Sequence, residues 1–260
     1  MNLDVVVLTK NEEKNITDCL RSFRGLGRAV VIDDGSTDRT VALAQAQGAQ
    51  VHYRSLDSFA EQRNFALTKT DADWIFFLDA DERFTPALRS SVEKFVSRPQ
   101  PAAGSIRRVN YAFGRRHRFG HLAPDRVTRL FPRGRVKWER AVHESPETDL
   151  PIEKLEGFLE HHTYGDWNRY LDKFVGYARL WAEEEFQNGR RTTALSAVLH
   201  AAAAFFKMAV QRLGFLEGSV GWALCWYHGG YTLSKYLLLL QKQNHNPPGP
   251  EGEIKDNSQG

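Results

Sequence analysis

The chain has 260 residues, 42% hydrophobic and 26% charged, with 35 lysines and arginines against 32 aspartates and glutamates for a net charge of +3. That composition excludes a fibrous or wholly disordered chain, and the length accommodates one full domain with an appendage rather than two large domains. The only cysteines, Cys19 and Cys225, lie too far apart and are too few for a disulfide framework or a thiolate metal site, which suits a reducing cytoplasm.

The N-terminus opens on an apolar run at 3–8 with no basic leader or cleavage pattern, so no secretory signal is expected. This run and those at 29–32, 51–53 and 74–78 are short, continuous and rich in Val, Ile and Phe, as buried strands are. Helix patterns lie between them. Ile16, Leu20 and Phe23 recur at helical spacing after Asn11, and Thr85 followed by Pro86 forms an N-terminal cap leading into Leu88, Val92, Phe95 and Val96. The βαβαβαβ order predicts an α/β protein with a Rossmann-like, mainly parallel sheet flanked by helices.

From 104 to 164 the rhythm gives way to extended segments at 105–111, 127–131, 136–138 and 158–162, predicted as the rest of the sheet with insertions. From Asp166 onward the chain is predicted helical, with Trp167, Leu171, Phe174, Ala178 and Trp181 on one face, then helices at 194–210 and 219–240. The 194–210 run is apolar, but it is alanine-rich, contains His200 and Lys207 and is short for a membrane span. Packing on the domain and contact with a membrane surface are both open to these helices. Residues 243–260, rich in Asn, Pro and Gly, are expected to be disordered.

In parallel sheets ligands bind beyond the carboxyl ends of the strands. Three polar clusters fall there: Thr9-Lys10-Asn11-Glu12, Asp33-Asp34-Gly35-Ser36 and Asp79-Ala80-Asp81-Glu82. Asp79 and Asp81, two acids one residue apart after a buried strand, repel unless a cation balances them, and hard oxygen ligands suit Mg²⁺ or Mn²⁺. A turn or a helix cap is the ordinary alternative. Between Arg98 and Arg140 eleven arginines and one lysine face only Asp125 and Glu139. Such a stretch suits the phosphates of a ligand, a nucleic acid, or simply solvent.

Four segments together resemble the family-2 glycosyltransferases of GT-A fold: Val5 to Glu13, Val31 to Asp38, Gln62-Arg63-Asn64, and Trp74 to Glu82. Arg129-Leu130-Phe131 and Val142-His143-Glu144 further resemble the subgroup that adds glucose to the inner core of bacterial lipopolysaccharide. The resemblance implies a catalytic domain at 1–165, with a nucleotide-sugar half at 1–100 and an acceptor half at 101–165. A helical extension at 166–242 and the tail at 243–260 would follow.

By the same resemblance Thr9, Glu12 and Asp34 hold the base and ribose of a UDP-sugar, although Lys10 stands where many relatives carry a stacking aromatic residue. Arg63 grips the diphosphate or the donor sugar, or else forms a surface ion pair, and Arg129 meets the diphosphate or an acceptor phosphate, or else forms a structural ion pair. Asp81 takes the metal and Asp79 the donor, and both acids are expected to be dispensable for folding. His162 adds a nitrogen ligand to the metal or merely caps its strand. Glu144 is the base, with Glu139 and Glu147 as competitors.

The implied reaction is inverting transfer of a hexose, glucose foremost, to a phosphorylated envelope glycolipid held by the basic stretch. It would take place in the cytoplasm, with peripheral contact to the inner face of the membrane and no nucleic-acid partner. The rivals are a phosphatase with an Asp-x-Asp nucleophile, a nucleotidyltransferase and a basic nucleic-acid-binding module. Phosphatases of that kind place the motif on the first strand, and a nucleotidyltransferase needs a Gly-rich loop that the first strand lacks here.

Overall fold

A computed structural model describes residues 2–139 and 145–245. The chain divides into two compact units, Met1–His117 with Pro124–Thr163, and Arg118–Ala123 with Tyr164–Gly260.

The first unit is built on β1 (Leu3–Thr9), α1 (Ile16–Ser22), β2 (Arg28–Asp33), α2 (Thr40–Ala46), β3 (Gln50–Tyr53), α3 (Phe59–Leu67) and β4 (Trp74–Asp79). There follow β5 (Glu82–Phe84), α4 (Pro86–Val96), β6 (Ala103–Ala112), β7 (Arg115–Arg116), β8 (Asp125–Pro132), β9 (Lys137–Glu139), β10 (Ser145–Glu147) and β11 (Ile152–Tyr164). The main sheet runs β3-β2-β1-β4-β8-β6-β11-β5, with β7 beside β6 and a separate β9–β10 ribbon. Its first four strands are parallel, and β8, β6, β7 and β5 pair antiparallel to their neighbours.

The apolar runs at 3–8 and 74–78 are continuous because both faces of these strands are covered. Val5, Val7, Phe76 and Leu78 face a core with Ile16, Leu20, Leu88 and Val92, while Val6, Leu8, Ile75 and Phe77 face one with Ala60, Ala66, Phe131 and Trp138. Thr85 caps α4 as its sequence predicts: Oγ1 accepts from the Leu88 N–H and donates to the Phe158 carbonyl at 2.7 Å. At that crossing β11 passes close to α4 through Gly157 (φ +79°), where a Cβ would stand 2.3 Å from the Leu88 nitrogen.

Among the elements that depart from the sequence expectation are β11 and β5. β11 begins at Ile152, six residues before the predicted run, because Ile152, Glu153 and Lys154 are exposed and leave no buried face to read. β5 falls where the sequence predicts loop, since three residues are too few to show a period.

The second unit consists of α5 (Trp167–Gln187), α6 (Ala194–Phe206), a π turn at Lys207–Gln211, a 3-10 turn at Gly214–Glu217 and α7 (Gly218–His245). α7 packs along α5 and α6, and Tyr170, Phe174, Tyr227 and Tyr231 form an aromatic cluster between α5 and α7. The helix runs past the predicted tail boundary at 243. Gln243 holds both backbone groups of Thr192, accepting from its N–H at 2.8 Å and donating to its carbonyl at 3.1 Å, and this tether carries the helix to His245. Buried Glu217 accepts the N–H groups of Arg118 and Phe119 at 2.5 and 2.9 Å. Ala194–Gln211 is long and apolar enough to cross a membrane by length and composition, with mean hydropathy 1.4.

His228 sits in α7 with its ring 5.4 Å from that of His121 and a buried Nδ1 that has no partner among the described residues. Burial, then the nearby His121, Lys235, Arg212 and Lys207, push its pKa down to about 4. The unfolded chain therefore binds a proton below about 6.5 that the folded chain refuses until about 4, so stability falls as pH drops through that window. Between pH 7 and 5 the wild type is expected to lose about 1 kcal/mol that a His228→Phe chain retains, because the ring is only partly buried and solvent screens the effect. Equal losses in urea titrations of both chains would remove His228 from the explanation.

Candidate active site

The sheet register sets the three polar clusters side by side. Thr9 stands opposite Asp33 and Leu8 opposite Asp79, and the Asp34 N–H donates to the Thr9 carbonyl at 3.0 Å. Asp33 turns the second loop by accepting from the Ser36 N–H at 2.8 Å and Oγ at 2.5 Å. Asn11, at φ +53°, accepts from the Thr37 N–H at 2.8 Å and ties the first loop to the second.

Asp34 accepts the Leu56 N–H on Oδ1 at 2.6 Å and the Lys10 ammonium on Oδ2 at 2.8 Å. That bond raises the Lys10 pKa. Each carboxylate oxygen keeps a further lone pair for a ligand donor. The Thr9 hydroxyl is buried without a partner among the described residues, the kind of group that a ligand or water completes. Glu12 turns toward α1, where Oε2 accepts from Asn15 at 2.6 Å, and it organises the loop.

Tyr53, which sequence reasoning passed over, ends β3 beside Asp33 with 68% of its surface exposed. A Cβ on Gly35 would come within 3.3 Å of its ring. The missed signal was a lone aromatic at a strand end.

Asp79 is gripped from both sides. Arg63 of α3 donates to Oδ1 at 3.0 Å and Arg129 of β8 to Oδ2 at 2.7 Å. The guanidiniums are 2% and 6% exposed, and Arg63 also lies over the Trp138 ring at 4.7 Å. Burial alone would raise the Asp79 pKa, but Arg129 and Arg63, with Arg108 and His161 behind them, hold it well below the usual carboxylate range. The two arginines expected to grip the donor are thus placed as supports for Asp79. The expectation that Asp79 is dispensable for folding is revised accordingly, because its removal takes a carboxylate charge away from two buried cations.

Behind the acids lies Glu82, fully buried, which accepts the Asp79 N–H at 3.0 Å and faces Arg108 at 3.4 Å. Burial and the charge on Asp79 raise its pKa. Arg108 also takes Asp125 in a two-pronged contact at 3.0 and 2.6 Å. Other members of the basic stretch are paired at the surface, Arg98 with Glu153 and Arg135 with Asp149, so part of the charge apparent in the sequence is matched by acids of the same chain.

Asp81 has a different setting. Its Oδ2 lies 3.3 Å from Nε2 of His161, and Oδ1 has no protein partner among the described residues. His161 Nδ1 bonds Asn110 Oδ1 at 2.7 Å. Burial lowers the His161 pKa, but the bond to Asp81 and its charge outweigh that and raise it. The expected metal ligand His162 points elsewhere: its ring stacks on Tyr111 at 5.2 Å and faces Glu160 at 3.4 Å. The reason is the strand period. His161 pairs with Glu82 and faces the acids, which turns the next residue to the opposite side.

Among the described residues no three His, Cys, Asp or Glu side chains are grouped to cage a metal. What is present is one carboxylate oxygen on Asp81 and, once neutral, the nitrogen of His161. That pair fits Mg²⁺ or Mn²⁺, which keep waters and share their ligands with substrate phosphates.

Glu144, the expected base, lies outside the described residues. Of its competitors, Glu139 pairs with Lys137 at 3.0 Å, and Glu147 is exposed on β10 opposite Lys137. The chain entering this segment is clamped by Asn64, whose side chain donates to the Trp138 carbonyl and accepts its N–H, both at 2.9 Å.

Acids and arginines thus converge at the carboxyl end of the parallel strands of an α/β sheet. The model for glycosyl transferase family 2 matches residues 4–146, more than half of the chain, and the protein belongs to that family, with the GT-A fold. It is a glycosyltransferase related to enzymes of lipopolysaccharide core biosynthesis. The glycosyltransferase LpsC of Rhizobium meliloti, of that pathway, is 28% identical over 199 residues, 73% of each chain.

A TPR repeat-containing protein of Synechococcus elongatus is 28% identical over 257 residues, 93% of this chain and 62% of that one. An uncharacterized glycosyltransferase of Rickettsia bellii is 33% identical over 92 residues, 35% of this chain and 31% of that one. The chain therefore spans less than two thirds of the length of these last two relatives. Glucosyl-3-phosphoglycerate synthase from Mycobacterium tuberculosis, solved with Mn²⁺, UDP and glucosyl-3-phosphoglycerate, overlaps 44% of each chain at 23% identity and a TM-score of 0.36. That overlap is too slight to carry residue roles across.

Proposed function

We propose that the protein moves a hexose, glucose foremost, from a UDP-sugar to a sugar of a cell-envelope glycolipid such as the lipopolysaccharide inner core, with inversion at the anomeric carbon. The observation that carries this reading is the contrast between the two acids. Asp79 has both oxygens fixed by arginines, whereas Asp81 keeps one oxygen free of protein partners beside His161.

Asp81, with His161 in place of His162, would hold Mg²⁺ or Mn²⁺, and a cation there would neutralise charge on the departing diphosphate. Asp34 offers a lone pair to the imide N–H of uracil, and the Thr9 hydroxyl gains its missing partner at the nucleoside. The exposed Tyr53 ring supplies the stacking face that Lys10 cannot. As the acceptor oxygen bonds to the anomeric carbon, the bond to the diphosphate breaks and the hydroxyl proton passes to a carboxylate, Glu144 by resemblance. The reaction is placed in the cytoplasm.

The test is a screen of UDP- and GDP-sugars for hydrolysis or transfer with Mn²⁺, Mg²⁺ or chelator, with the anomer of the product read by NMR. UDP-glucose is expected to be consumed only with metal, and Tyr53→Ala to raise the donor KM severalfold with kcat little changed. Tight RNA or DNA binding together with no turnover of any nucleotide sugar would defeat the proposal in favour of a nucleic-acid-binding module.

A further inference from the structure

The second unit carries a surface that the transfer reaction does not use. Leu195, Leu199 and Phe206 lie on one face of α6 and are exposed, and Leu216, Trp222 and Trp226 are exposed around the turn into α7. Trp226 is 68% exposed although it touches Phe205 at 4.6 Å. Monomeric proteins seldom leave so much contiguous large apolar surface to water.

Within the hairpin the charge is mostly of one sign, although Arg190 and Lys242 are paired with Glu185 and Glu183 of α5. From Arg190 to His245 there are six cations, Arg190, Arg191, Lys207, Arg212, Lys235 and Lys242, and one acid, Glu217. Glu217 is buried and accepts two backbone N–H groups, so it offers no negative charge at the surface. Lys207 and Arg212, in and just after the π turn, are exposed beside the apolar residues with no acidic partner among the described residues. Aromatic and aliphatic side chains flanked by cations match the boundary of an anionic bilayer, where rings sit at headgroup depth and lysines and arginines meet lipid phosphate.

We propose that the α6–α7 hairpin is a membrane-surface anchor that seats its apolar face in the headgroup boundary of an anionic lipid bilayer. A second copy of the chain is a poorer occupant, because a two-fold contact would bring the cations of both copies together. A span is disfavoured too. Ala194–Gln211 is 18 residues, about 27 Å at helical rise, and Lys207 together with Arg212 would have to pass through hydrocarbon.

The experiment is co-sedimentation of the full chain with vesicles of phosphatidylcholine alone or mixed with phosphatidylglycerol, at low and high salt. Binding to the mixed vesicles, weakened by salt, is expected. The Lys207→Glu/Arg212→Glu chain is expected to bind at least about tenfold more weakly, at roughly fivefold per cation. Phe206→Ser/Trp226→Ser is expected to lose the binding that survives high salt. All four positions are exposed, so unchanged melting temperatures confirm folding of each variant. No binding to the mixed vesicles overturns the proposal. So does resistance to alkaline extraction, which marks a span, or a dimer in vesicle-free buffer that Phe206→Ser/Trp226→Ser dissolves.

Discussion

An Asp79→Asn chain is expected to unfold about 2–4 kcal/mol more easily than the wild type, a stability defect and not only a catalytic one. Arg63 and Arg129 are buried, and each spends a guanidinium N–H on this carboxylate. The amide keeps the shape but removes the charge that offsets their desolvation. The Asp79 carboxylate is itself 30% exposed, which places the effect below that of a fully enclosed pair. Since the folded pKa lies below the unfolded one, this stabilisation is complete above the ordinary carboxylate pKa and fades as pH falls toward the folded value. The gap between the two chains should therefore narrow in acid. Adding Arg129→Met to the Asp79→Asn chain should recover part of the loss, because one stranded cation is removed. Urea titrations placing Asp79→Asn within about 1 kcal/mol of wild type would show that the arginines are satisfied without it.

Asp81→Ala is expected to have the opposite signature. Among the described residues no guanidinium pairs with Asp81, and its partner His161 keeps Asn110. Stability should shift by less than about 1 kcal/mol. Turnover of the nucleotide sugar should fall by roughly 10²–10³, the scale on which electrostatic stabilisation of a leaving group acts. The Mn²⁺ dependence should disappear with it. An Asp81→Ala chain that keeps full activity in Mn²⁺ would falsify the assignment of Asp81 to the metal. Measured together, the two substitutions separate the roles of acids only one residue apart.

That division of labour was half legible in the sequence. The buried run before Asp79 placed both acids at a strand end, and the motifs after β1, β2 and β4 marked one pocket, because burial on two faces leaves long apolar runs ending abruptly in polar residues. The partners of the acids were not legible. Arg129, Arg108 and Glu82 meet only through sheet order β4-β8-β6-β11-β5, an antiparallel addition that carries no local signature, while Arg63 reaches Asp79 from α3. The choice between His161 and His162 depends on which face of β11 turns inward. Adjacent histidines in a half-exposed strand leave that undecided until the pairing with Glu82 is known. The cap at Thr85 was the reverse case, a local motif with a local consequence, and it lies where its sequence puts it.

Arg63 and Asn64 are neighbours on α3, and between them they touch Asp79, the Trp138 ring and both backbone groups of Trp138. Asp79 and Trp138 are therefore gauged from the same short helix. On the proposed roles of Asp79 and Glu144, a shift of α3 by a fraction of an ångström would disturb the donor side and the acceptor side together. Natural variation in this protein should accordingly tolerate change in the length of the segment after Trp138 more readily than a change of residue at 63 or 64.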